Sequence, residues 1–191
     1  EYLASKKVWI DEELVRRLPP AGTYPERLHE AILYTLALPG KRIRPILCLA
    51  TGSLFGAGEQ SVLGAACAVE MVHTSSLILD DLPCMDDATL RRSRPVCHRV
   101  FGEATAILAA VALLNRAFGV IGEEAGASRM GDRLARRIAS RLSSAIGPAG
   151  ILGGQYVDLA SVGKRLDLET LEYIHSHKTG SLFISAAEIG A

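Results

Sequence analysis

The feature that most limits what this chain can become is an apolar run that ends in paired acids. Ser61 to Leu79 is mostly apolar and leads into Asp80 and Asp81; Asp86 and Asp87 follow, then Arg91 and Arg92. The run shows no period-two alternation and reads as one long helix. Leu77, Ile78, Leu79 and Leu82 would bury the first pair of carboxylates, and buried like charges repel unless a cation lies between them. Mg²⁺, a hard ion held by carboxylate oxygens and substrate phosphates, meets that need. The two guanidinium forks match phosphate oxygens. The alternative, a solvated acidic turn before a basic helix start, leaves the flanking leucines unexplained.

Spacing sharpens this. Pro83 disfavours the α conformation for Leu82, so the helix stops or kinks there. On an unbroken helix Asp81 and Asp86 point about 140° apart, whereas a loop through Pro83 can fold Asp86 back toward Asp80. If helical, Arg91 and Arg92 diverge by about 100° and can hold two different phosphate groups.

The remainder also reads as helices. Residues 1–18 form an amphipathic helix closed by Pro19-Pro20. A second begins at Pro25, with Leu28, Ile32, Leu33 and Leu36 on one face. Pro45 suits the first turn of a third, which puts Lys41 and Arg44 at a helix N-terminus, an anion site. Residues 103–122 are apolar nearly all round, the pattern of a central helix buried on all sides. Residues 132–147 carry Arg133, Arg136, Arg137 and Arg141 as a solvated face. In 150–159, Gln155 and Asp158 share a helix face at i and i+3. Asp167 is placed to N-cap a helix through Ile174. No stretch alternates like a strand.

At 191 residues the chain is one domain or a large part of one, and 49% hydrophobic residues supply a sizeable core. Lys plus Arg equals Asp plus Glu, so no global charge favours nucleic acid or a membrane surface. The four cysteines show no CxxC pair and read as reduced core residues. The longest uninterrupted apolar stretch lies near Ala104 to Leu114 and is too short to span a bilayer. A cytoplasmic protein is expected, with room for an organellar targeting segment ahead of Glu1.

Asp80-Asp81-x4-Asp86 followed by Leu90-Arg91-Arg92 resembles the first aspartate-rich motif of the trans-isoprenyl diphosphate synthases. These include farnesyl and geranylgeranyl diphosphate synthases. Further stretches agree, in the family's order: Gly40-Lys41-Arg42-Ile43-Arg44-Pro45, Glu70-Met71-Val72-His73, Gly153-Gly154-Gln155 with Asp158, and His177-Lys178-Thr179-Gly180. The resemblance implies the all-α isoprenoid synthase bundle around a central active-site cavity. It implies head-to-tail condensation of an allylic prenyl diphosphate with isopentenyl diphosphate. Asp80, Asp81 and Asp86 would hold Mg²⁺. Arg91, Lys178 and Thr179 would hold the allylic diphosphate, with Gln155 facing it, and Lys41, Arg44, His73 and Arg92 would hold isopentenyl diphosphate. Ser75 and Ser76, one turn before the first aspartate, would floor the cavity and set chain length. Two serines there imply a twenty-carbon product. A homodimer is expected, with Ala104 to Leu114 contributing.

Several positions depart from the family pattern. Leu79 replaces a histidine, Ala110-Val111 a Gly-Asp, Ser93 a glycine, and Pro39-Gly40 a Gly-Gly. A second aspartate-rich motif is absent, so residues 1–191 read as one helical domain lacking its C-terminal third. A catalytically weak or regulatory subunit of a prenyl synthase, or a terpene cyclase of the same fold, stays open as an alternative.

Overall fold

The structure, a computed structural model, describes residues 1–20, 22–126 and 131–191. Its helices are α1 (Tyr2–Arg16), α2 (Glu26–Leu36), α3 (Ile43–Leu54), α4 (Glu59–Asp80), α5 (Cys97–Phe101), α6 (Glu103–Gly126), α7 (Asp132–Ile146), α8 (Ile151–Ala160), α9 (Leu168–Ile174) and α10 (Ser181–Gly190). A π-helical turn, His175–Gly180, joins α9 to α10. Asp167 caps α9 by accepting from the Thr170 amide at 2.8 Å.

The bundle is built round α4. From Val62 to Val72 every residue of this helix is buried. Alanines 65, 66 and 68 of α4 and 106, 109 and 110 of α6 are all fully or nearly fully buried, and such small side chains let two helices approach closely. α3 lies on another side of α4, and α10 packs on α3. Leu63, Met71, Leu113, Leu142 and Leu182 fill the space between layers.

Three expectations are corrected. The helix buried on all sides is α4, not the one over 103–122. α6 buries Ala106, Ala109, Ala110 and Leu113 but leaves Ile107, Leu108 and Val111 at 43%, 58% and 56% exposure. An apolar composition all round does not say which face lacks a neighbour.

The second concerns Arg91 and Arg92, which are not helical. Leu90–Arg91 (β1) pairs antiparallel with Arg94–Pro95 (β2). Arg92 and Ser93 form the turn at φ of 54° and 64°, the left-handed pair that suits a two-residue hairpin.

The third concerns apolar length. α4 and α6 are each long and apolar enough to cross a membrane by length and composition. Counting only the apolar run near Ala104 to Leu114 understates this, because isolated small or polar residues do not end an apolar helix. In the fold α4 is mostly sheathed by other helices and α6 packs one face on it.

Candidate active site

The C-terminal end of α4 carries the acids. Its last turn delivers Asp80, and the chain then folds back through Pro83, so that the Asp86 amide donates to the Asp80 carbonyl at 3.0 Å. Asp86 thereby returns to Asp80, as the proline suggested. Burial, and next the charge of Asp80, push the Asp86 carboxyl above its usual range. Two hard carboxylates facing each other in this way fit a divalent ion.

Asp81 has a different partner. It is buried, and Arg91 Nε donates to both its oxygens at 2.9 and 2.8 Å, with Nη2 adding a third bond at 2.6 Å. Among the described residues no group of three or more acidic, histidine or cysteine side chains converges as a metal site. Of the three aspartates expected to hold a metal, Asp80 and Asp86 are brought together, while Asp81, next to Asp80 in the chain, is hydrogen-bonded to Arg91.

Asp80 also accepts from Gln155 Nε2 at 2.8 Å and lies 3.3 Å from Lys178 Nζ. Lys178 is shared with Asp158 at 2.6 Å. Burial opposes the Lys178 charge, yet Asp158 and Asp80 outweigh it and raise its pKa. α8 and the π-helical turn can meet here because position 154 is glycine. A Cβ on Gly154 would lie 2.1 Å from the Lys178 backbone nitrogen.

Two cavities meet at this end of the bundle. One, about 340 Å³, has Asp80, Gln155, Lys178 and Thr179 at its polar end and Leu114, Ile146 and Ile151 on its apolar wall. Ser75 and Ser76 also line it. The other, about 550 Å³, is lined by Lys41, Arg42, Arg44, Glu70, His73 and Arg92. Arg44 and His73 border both. Gly40 makes room for Arg92, whose guanidinium occupies the space that a Cβ there would need. A larger groove, about 860 Å³, runs between α7 and α10 along Arg133, Arg136, Arg137 and Arg141. It holds none of the motif residues.

The cations of the second pocket divide into spent and unspent. Arg42, a residue sequence reasoning left without a role, pairs with Asp11 at 2.7 Å and with Glu70 at 2.8 Å. Its Nη2 also donates to the Leu36 and Leu38 carbonyls. This over-determined head holds the backbone at φ 51° where α3 begins. Arg44 and Arg92 make no ion pair among the described residues; Arg44 donates toward His73 Nε2 at 3.3 Å, Arg92 to the Leu38 carbonyl at 3.4 Å. Burial lowers the pKa of both, and each also feels a neighbouring arginine. A pocket of unneutralised guanidinium groups is an anion site.

Burial, and next the charges of Arg44 and Arg92, hold the His73 pKa down to about 3. His73 is thus neutral and can accept from Arg44. In an unfolded chain it titrates near 6.5, so between these values the unfolded state binds the extra proton and stability falls as pH drops. We expect this residue to cost about 1.4 kcal/mol per pH unit below about 6. Chemical denaturation of wild type and His73→Gln at pH 7.5 and 5 checks it: the variant should lose that part of the acid-side slope.

Within the helical bundle, a largely apolar cavity with Asp80 and Lys178 at its polar end thus adjoins a cationic pocket. The chain belongs to the polyprenyl synthetase family, whose model matches residues 25–191. It is 46% identical to geranylgeranyl pyrophosphate synthase 4 of Arabidopsis thaliana across all of this chain and 50% of that protein. It is 43% identical to the heterodimeric geranylgeranyl pyrophosphate synthase large subunit 1 of the same plant, over all of this chain and 52% of that one. The chain thus spans about half the length of the curated relatives it matches. Among solved structures it matches an apo FPP/GFPP synthase from Zymomonas mobilis with a TM-score of 0.92 at 36% identity, covering 99% of this chain and 68% of that one. A geranyltransferase from Legionella pneumophila matches with a TM-score of 0.88 at 34% identity, over 99% and 65%.

Proposed function

We propose that the full-length protein is a Mg²⁺-dependent prenyltransferase that joins an allylic diphosphate to isopentenyl diphosphate, with geranylgeranyl diphosphate as the product. The observation that carries this reading is the shared border at Arg44 and His73. There a cationic pocket adjoins a largely apolar cavity that carries Asp80 and Lys178 at its polar end. The relatives named geranylgeranyl synthases support the same reaction class.

In this reading Lys41, Arg44 and Arg92 hold the isopentenyl diphosphate head. Arg91, Lys178 and Thr179 meet the allylic diphosphate, whose tail lies along the apolar wall. Asp80 and Asp86, with Asp81 beside them, would hold Mg²⁺, which would supply charge neutralisation for the departing pyrophosphate; Asp81 also orients Arg91. The allylic C–O bond breaks with its electron pair on the pyrophosphate, the isopentenyl double bond attacks the allylic carbon, and a proton is lost. The chain contributes positive charge at the leaving group and a dry cavity for the cation, and no nucleophile is required. Incubating full-length protein with isopentenyl and dimethylallyl diphosphates and Mg²⁺ tests the proposal. Elongated products support it. Silence unless an active synthase is added points to a regulatory subunit, and cyclic hydrocarbons from one prenyl diphosphate to a cyclase.

Product length is expected to respond to Ser76. Ser75 is buried and its hydroxyl donates across to the Ala110 carbonyl of α6 at 2.8 Å, so a large side chain there would collide with backbone. Ser76 donates to its own helix at the His73 carbonyl and is only half-buried, leaving room for a ring. Ser76→Phe should move the main product from C20 toward C15 in chain-length analysis. An unchanged distribution would refute the assignment of these serines to the floor.

The exposed Ile107, Leu108 and Val111 face of α6 leads us to propose a homodimer through that face. Light scattering at micromolar concentration should give twice the chain mass, and Leu108→Asp should give a monomer.

A further inference from the structure

We infer that Phe183 is a positioning residue for the anion pocket: its ring is the platform that aims the Arg44 guanidinium. The Arg44 Cζ atom sits 4.2 Å from the Phe183 ring centroid. Phe183 is the third residue of α10 and lines neither cavity, whereas Arg44 lines both. The ring therefore stands behind the guanidinium and not in the ligand's path.

What makes this platform consequential is the set of partners Arg44 lacks. Arg42, Arg91 and Lys178 are each aimed by carboxylates, which also neutralise them. Among the described residues Arg44 is aimed by a neutral imidazole and an aromatic face, and its Nε is buried without a hydrogen-bond partner. An aromatic face attracts a guanidinium through its quadrupole while bringing no counter-charge. The arginine is thus fixed without an ion pair of its own among the described residues, Glu70 acting on it only through space, and its charge faces an incoming diphosphate. A carboxylate in place of the ring would fix the head equally well and cancel the charge.

Only the identity of the anion rests on the proposed function; the platform itself rests on geometry. Two measurements on the full-length protein separate them. In wild type, the Arg44 Nε–H resonance, assigned by its loss in Arg44→Lys, should be shifted upfield by the ring current. Phe183→Tyr should keep that shift and Phe183→Leu should abolish it. Calorimetric titration with isopentenyl diphosphate should show roughly tenfold weaker binding for Phe183→Leu and near-normal binding for Phe183→Tyr.

In steady-state assays the rise should fall on the KM for isopentenyl diphosphate rather than on that for the allylic substrate. An unshifted wild-type resonance overturns the inference, even if Phe183→Leu fails to fold. Equal isopentenyl diphosphate affinity in wild type and Phe183→Leu overturns it too. A shifted resonance in a wild type that binds no isopentenyl diphosphate supports the platform and refutes the proposed function.

Discussion

Asp80→Ala is expected to lower Mg²⁺-dependent condensation by roughly a thousandfold while the protein stays folded. The loss follows from breaking the pair of carboxylates that would hold the ion. Folding survives because no cation is orphaned. Lys178 keeps Asp158 at 2.6 Å, and Arg91 keeps its bonds to Asp81. Losing Asp80 also relieves the charge that raises Asp86. Single-turnover assays with labelled isopentenyl diphosphate, alongside urea denaturation, provide the two readouts. Near-normal turnover would sink the metal assignment, and a large loss of stability would show that Asp80 holds the fold together.

Arg42→Ala should have the opposite profile, a severe loss of stability. The side chains of Arg42 and Glu70 are 3% and 2% exposed, so the ion pair lies out of water. Removing the guanidinium leaves a buried carboxylate uncompensated and strips the donor from the Leu36 and Leu38 carbonyls. Breaking one side of such a pair costs about 3–5 kcal/mol. Alanine also inherits the left-handed backbone at φ 51° with none of the contacts that hold it there. The double variant Arg42→Ala, Glu70→Leu should recover part of the loss, because it removes the stranded charge. Urea denaturation checks both. A loss below about 1 kcal/mol for Arg42→Ala would mean that water reaches Glu70.

Some of this could be read from sequence and some could not, and the division is physical. The helices announced themselves through apolar runs, Pro19-Pro20, Pro45, Pro83 and the Asp167 cap, all local signals. The return of Asp86 to Asp80 followed from one proline. The motif residues Lys41, Arg44, His73 and Arg92, far apart in the chain, line one pocket. The hairpin was hidden because its left-handed turn is made by Arg92 and Ser93, without a glycine to signal it.

The opposite fates of Arg42 and Arg44, two residues apart, were equally invisible. They depend on Glu70, which lies on another helix, and on Phe183, which lies on a third. The same blindness concerns Asp81, whose commitment to Arg91 needs the hairpin to be in place first.

The two-residue turn also makes the site a mechanical unit. Arg91 reaches back to Asp81 while the very next residue reaches the opposite way, over Gly40 to the Leu38 carbonyl. Adjacent Cα atoms are only about 3.8 Å apart across a trans peptide. There is no slack between the arginine on the acidic side and the one on the cationic side. The arginine that grips Asp81 and the arginine that lines the cationic pocket are thus joined by a single peptide bond, and the backbone that places one places the other.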